Sequence, residues 1–166
     1  MFWWSRRIRS GIWNAQKVTQ NPITTTAVFG AGGVSGYFGA MLARAGYPVV
    51  FIARGAHLEA IRKNGLAIRS PKGDFHVTPE QVTDNPADIG PVDAVILGVK
   101  AWQVLGAAKA MHPLLGPTTK VLRLQNGVEA ADHLQQILGL QHTLVSLCRT
   151  FSHHRRHHAP FPNNQR

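Results

Sequence analysis

Residues 28–36, Val-Phe-Gly-Ala-Gly-Gly-Val-Ser-Gly, set a glycine-rich turn between a strand-like run and a helical pattern. Thr24 to Gly30 is rich in Thr and Val, as a buried strand would be. Val34 to Ala45 carries a helical pattern that stops at Gly46. A turn of this kind lets main-chain N–H groups and a helix N-terminus approach a phosphate with no side chain between them. It implies a strand–turn–helix unit built around a diphosphate. A mononucleotide P-loop is excluded, because no Gly-Lys-Ser/Thr follows.

The same alternation continues downstream. Pro48 to Ala53 is a second apolar run, and Ala56 to Lys63 predicts a short helix stopped by Asn64-Gly65. Leu66 to Arg69 and Phe75 to Thr78 flank Pro71-Lys72-Gly73-Asp74, a hairpin signal. Ala94 to Val99 predicts a buried strand, Trp102 to Leu115 a helix broken by Gly116-Pro117, and Lys120 to Gln125 another strand. Glu129 to Leu138 predicts a helix ended by Gly139, and Thr143 to Cys148 a last strand. Strands separated by helices imply an α/β fold, doubly wound and Rossmann-type, with a mostly parallel sheet and helices on both faces.

Composition sets further bounds. The chain has 166 residues, 44% of them hydrophobic and 16% charged, which suits one domain with a core. A single cysteine, Cys148, excludes an internal disulfide framework, fits a reducing, cytoplasmic setting, and reads as a buried strand residue. The longest apolar run, Ala94 to Val99, is too short to span a bilayer. A net charge of +10 resembles a nucleic-acid signal, but its distribution does not. Arg6, Arg7, Arg9 and Lys17 lie in residues 1–23, and Arg149, Arg155, Arg156 and Arg166 in residues 149–166, with no acid in either stretch. The middle is nearly balanced, and a groove binder would carry its charge there, so nucleic acid is not expected as a partner. Residues 1–23 therefore read as a basic leader, disordered or loosely helical, residues 24–152 as the folded domain, and residues 153–166 as a disordered His/Arg-rich tail. His153, His154, His157 and His158 have ligand-like spacing, but the tail offers nothing to build a second shell, so no metal site is expected.

Within the turn, Gly30 supplies the tight bend and Gly32 lets the main chain approach phosphate. Ser35 stands where a third glycine or alanine is usual, and it is small enough to keep helix and strand close. The end of the second strand bears on the choice of dinucleotide. An NAD site places an acid there, whereas this chain has Arg54 and no acid before Glu59. A guanidinium suits a 2′-phosphate, which favours NADP, although a solvated loop arginine is the plainer reading of Arg54 alone. Lys100 and Asn126 follow two further strands, at the ligand-binding ends of such a sheet. Asn126, with Glu129 three residues on, also reads as a helix N-cap.

These residues resemble the ketopantoate reductases (2-dehydropantoate 2-reductases). The likeness is carried by Val28 to Ile61, with Gly-Ala-Gly-Gly-Val-Ser-Gly-Tyr-Phe-Gly and Phe-Ile-Ala-Arg-Gly-Ala-His-Leu. Asn64-Gly65-Leu66, Gly98-Val99-Lys100-Ala101-Trp102 and Leu124-Gln125-Asn126-Gly127-Val128-Glu129 add to it. It runs from about Thr24 to about Ser152, roughly the amino-terminal half of such an enzyme. The resemblance implies NADPH-dependent reduction of 2-dehydropantoate to pantoate, toward pantothenate and coenzyme A. It implies that Gly30, Ala31, Gly32, Gly33, Val34 and Ser35 hold the diphosphate and Arg54 the 2′-phosphate. Lys100 and Asn126 would hold the cofactor, and Asn126 would also reach a small 2-oxoacid substrate. The general acid of the family is a lysine in a second, helical domain, so no catalytic residue is expected among these 166.

After Ser152, His-His-Arg-Arg-His-His matches nothing in that family and looks like a shifted frame or a truncated gene. The expectation is therefore a chain that lacks the helical substrate domain, supplies the NADP-binding half and is inactive alone. Two other readings stand beside it: a reductase of a different 2-oxoacid, and a non-catalytic NADP-binding fragment or partner module.

Overall fold

Thr-Ala-Val-Phe and Val-Val-Phe-Ile are buried at every position, as strands covered on both faces must be. They form β1 (Thr26–Phe29) and β2 (Val49–Ile52) at the centre of the computed structural model, which describes residues 25–124 and 129–144. Between them runs α1 (Gly33–Arg44), ended by Gly46 at φ +88°, a conformation that costs glycine little. After β2 come α2 (Gly55–Asn64), the hairpin strands β3 (Leu66–Ile68) and β4 (Phe75–Val77), and β5 (Gln81–Thr83). The second half contains β6 (Val92–Leu97), α3 (Val104–Ala110), β7 (Leu115–Arg123), α4 (Glu129–Leu138) and β8 (Thr143–Leu144).

The main sheet has the order β5-β2-β1-β6-β7-β8, and every pairing in it is parallel. β3 and β4 pair antiparallel as a separate hairpin, as the Pro71–Asp74 turn signal predicts. The chain steps outward from β1 through β2 to β5, then returns to β6 beside β1 and steps outward the other way. That is the doubly wound, Rossmann-type order.

Alternation along the strands divides the core in two. Ala27, Phe29, Val50, Ile52, Val95 and Leu97 face α3 and α4, through Val104, Ala107, Ala108, Leu134 and Leu138. Val28, Val49, Phe51 and Ile96 face α1, α2 and the hairpin, through Ala40, Leu58, Ile61, Leu66 and Val77. Helices thus cover both faces, and each large apolar side chain buried this way contributes about 1.5–3 kcal/mol. No helix among the described residues is long and apolar enough to cross a membrane.

Two expectations need correction. The helix predicted over Trp102–Leu115 is broken into a 3₁₀ turn at Ala101–Gln103, α3, and a second 3₁₀ turn at His112–Leu114. Pro113 has no N–H to continue the helical ladder and disfavours helical geometry at His112. Gly116-Pro117 then lie inside β7 rather than after a helix. There the register with β6 slips between Val92 and Ala94. Thr119 bridges the slip: its hydroxyl accepts from the Gly116 N–H at 2.8 Å and donates to the Val92 carbonyl. β5 was not expected at all. The expected strand at residues 143–148 is described only at Thr143–Leu144; residues 1–24 and the tail also fall outside the described residues.

α1 crosses the sheet so closely that a Cβ on Gly39 would sit 2.6 Å from Val28 Cγ2 and 2.8 Å from Phe51 Cζ. Gly39→Ala should gain about 1 kcal/mol in helix propensity and lose about 1–3 kcal/mol to overpacking. The expected outcome is a lower urea midpoint at unchanged slope; a raised midpoint would show that α1 can lift off the sheet without cost.

Candidate functional site

The strand order reverses between β1 and β6, so the connections leaving these two strands go to opposite faces. A crevice opens beyond the strand ends at such a switch point. Here it is a cleft of about 490 Å³. Phe29 and Ile52 reach its base, and three segments wall it: Gly30–Gly32, Ala53–Arg54 with His57, and Gly98–Lys100 with Trp102 and Gln103. Gly106 and Ala107 of α3 complete the lining. Arg54 and Lys100 bring positive charge to it, and no carboxylate is among the described residues that line it. Such a lining suits a polyanion.

The glycine-rich turn is held from beneath. Gly30 takes φ +89°, which an L side chain rarely adopts, and a Cβ there would meet Val99 Cγ1 at 2.9 Å and the Gly98 carbonyl at 3.2 Å. Its N–H donates to Ile52 O at 3.0 Å, and the Gly98 N–H donates to Phe29 O at 2.9 Å. Ser35 is buried, and its hydroxyl donates to the Gly30 carbonyl. Gly98 lies directly against the Ser35 side chain, so a Cβ at Gly98 would overlap it. The serine at the third motif position is therefore accommodated by a glycine on the neighbouring strand end.

Gly32 differs. It caps α1 with φ −74°, open to any residue, and the nearest atom to an added Cβ is 4.0 Å away. Neither backbone conformation nor internal packing requires glycine at this exposed cleft wall. A Cβ there would fill space in the cleft instead. The first i→i−4 bond of α1 is Gly36 N–H to Gly32 O at 2.7 Å. The N–H groups of Gly33, Val34 and Ser35 precede it and have no partner within the helix.

The structure brings Gly30, Ala31, Gly32, Arg54 and Lys100 together around one cleft. Gly33, Val34 and Ser35 lie on the first turn of α1 and do not line it. Asn126 falls outside the described residues, as do Cys148 and the four histidines of the tail. Among the described residues no cluster of His, Cys, Asp or Glu could hold a metal ion.

Arg54 is the N-cap residue of α2 and is exposed. Lys100 lies beyond the end of β6 and begins the 3₁₀ turn; its Nζ stands 4.9 Å from the centre of the Trp102 ring. Trp102 is 75% exposed at this cleft, a large apolar surface that the helical pattern of the sequence had concealed. His57 was also missed. It occupies the first turn of α2, where side chains lean back toward the helix start. Its Nε2 lies 2.7 Å from the Ala31 carbonyl, and a carbonyl can only accept, so Nε2 carries the proton.

Residues 26–160 match the family model of the ketopantoate reductase PanE/ApbA. A 2-dehydropantoate 2-reductase of Mesorhizobium japonicum is 41% identical over 102 residues, 61% of this chain and 31% of that one. The crystal structure of a 2-dehydropantoate 2-reductase from Porphyromonas gingivalis aligns with TM-score 0.65 and 45% identity, covering 71% of this chain and 43% of that one. D-mandelate dehydrogenase, in a ternary structure with NADH and anilino(oxo)acetate, aligns with TM-score 0.64 and 26% identity over 72% of this chain and 39% of that one. The chain thus spans well under half the length of these similar proteins.

The two turn glycines should fail differently. Gly30→Ala is expected to destabilise the fold by about 2–4 kcal/mol through φ strain and overpacking. Gly32→Ala should change stability by less than about 1 kcal/mol while weakening ADP-ribose at least tenfold. Urea denaturation and calorimetric titration separate the two. Unchanged ADP-ribose affinity in Gly32→Ala would mean that no diphosphate approaches this wall.

Proposed function

The chain belongs to the ketopantoate reductase family, and from that premise we propose that it supplies the NADP-binding half of an enzyme that reduces 2-dehydropantoate to pantoate. The observation that carries the reading is the Gly32 wall: an open N-cap glycine, beside free-ended N–H groups, in a cleft lined by Arg54 and Lys100. The diphosphate would lie on the N-terminal end of α1, where the N–H groups and the helix dipole favour negative charge. Arg54, at the end of β2, would take the 2′-phosphate through charge-assisted hydrogen bonds. Lys100 would hold further cofactor oxygens, and Asn126 would serve cofactor and substrate. When bound, NADPH supplies the hydride for the ketone carbon. The residues described would bind the dinucleotide and fix its orientation along the strand ends.

In this reading the proton donor and the remaining substrate contacts come from a helical second domain outside these 166 residues. The isolated chain is then expected to bind NADPH without sustained turnover of 2-dehydropantoate. Ordinary steady-state turnover by the purified chain would refute that division of labour.

A second reading, reduction of a different 2-oxoacid, is favoured by the likeness to D-mandelate dehydrogenase, whose structure contains NADH. Arg54 separates the two cofactor choices. A charge-assisted hydrogen bond is worth about 1.5–3 kcal/mol, so Arg54→Ala should weaken NADPH roughly ten- to a hundredfold. NADH affinity should stay within about threefold, because it lacks the phosphate that the guanidinium would bind. Fluorescence titration of wild type and variant with both nucleotides gives the answer. Equal affinity of the wild type for NADPH and NADH would remove the role assigned to Arg54.

A further inference from the structure

Two main-chain carbonyls of the glycine-rich turn are bound by side chains. Ser35 takes the Gly30 carbonyl, and His57 takes the Ala31 carbonyl from another helix, 26 residues away in sequence. The second contact ties the first turn of α2, which Arg54 caps, to the turn that leads into α1.

Its geometric consequence follows from peptide planarity. All described peptides are trans, and in a trans peptide the C=O and the following N–H point in opposite directions. A donor on the Ala31 carbonyl therefore fixes the direction of the Gly32 N–H. On the Ala31 side the plane lies against Gly36, where an added Cβ would meet the Ala31 carbonyl oxygen at 3.3 Å; on the Gly32 side no side chain helps to hold it. The imidazole is the side chain that hydrogen-bonds to it.

We infer that His57 is a positioning residue for the cofactor, setting the Ala31–Gly32 peptide so that the Gly32 N–H is aimed for the diphosphate. This rests on the dinucleotide reading given above. The donor is Nε2–H, present in both the neutral tautomer with that proton and the imidazolium, so the role is one of geometry and needs no added charge. It also couples the two halves of the phosphate site. Arg54 caps α2 and His57 lies in its first turn, so the 2′-phosphate contact and the diphosphate contact would be built on one element.

Two ligands separate this role from a direct contact. NADPH carries both the diphosphate and the 2′-phosphate, whereas adenosine 2′-monophosphate carries only the latter. Wild type, His57→Ala and His57→Gln are titrated with each by calorimetry. Loss of one positioning hydrogen bond should weaken NADPH about tenfold in His57→Ala and leave adenosine 2′-monophosphate within about twofold. Retained binding of the monophosphate also shows that the variant is folded. His57→Gln keeps an N–H donor of similar reach and should recover most of the NADPH affinity.

NADPH binding unchanged in His57→Ala overturns the inference. So does equal weakening of both ligands, which would put the imidazole on the 2′-phosphate, and so does a glutamine variant as weak as the alanine one. A wild type that binds NADPH no better than an unrelated protein overturns the dinucleotide reading itself, and the inference with it.

Discussion

Ser35 and Gly98 compete for one small volume between α1 and the end of β6, and the turn after β1 keeps its course because only one of them carries a side chain. The serine uses the space to bind the Gly30 carbonyl; the glycine yields it and takes Phe29 O with its own N–H. Gly30 is pressed from the same side by Val99. The first strand, the first helix and the fourth parallel strand are thereby locked at a single point. The cleft walls follow from that lock, because Gly30–Gly32 and Gly98–Lys100 are its two sides.

A second close approach works in concert with the first. Gly39 brings α1 onto Val28 and Phe51, one helical turn beyond Ser35. The helix is therefore pinned to the sheet at two levels, and its N-terminal end has little freedom to tilt away from the cleft. Rigid placement matters for a site made of main-chain groups, since a backbone N–H cannot rotate to find a ligand as a lysine can. Where the wall is left open, at Gly32, the openness is turned toward the cleft and not toward the core.

Much of this was legible in the sequence because the signals were local. The helix ends at Gly46, Gly65 and Gly139 and the hairpin at Pro71–Asp74 are each marked by residues within a few positions of the event. The cleft residues Gly30, Gly32, Arg54 and Lys100 were readable because each follows a strand directly or nearly so. What escaped depends on partners far along the chain. β5 is three residues long and is a strand because β2 lies beside it, with Phe51 opposite Val82. Pro117 looks like a breaker until Thr119 is seen carrying the hydrogen bonds across the slip in β7. Pro113, which does end α3, was overlooked beside the more conspicuous Gly116-Pro117. His57 gave no sign of its bond to Ala31, since nothing in the spacing of α2 encodes a carbonyl on another element.

The pairing of β1 has a consequence for how the molecule is assembled. β2 reaches β1 across one short helix, but β6, which covers the other edge, joins at Thr26↔Ala94 after the hairpin and β5 have been made. Until that long stretch is in place, the innermost strand keeps one edge of unpaired N–H and C=O groups. Non-local closures of this sort slow folding and leave intermediates open to self-association. The species exposed in this way is a β1–α1–β2 unit whose β1 has not yet met β6.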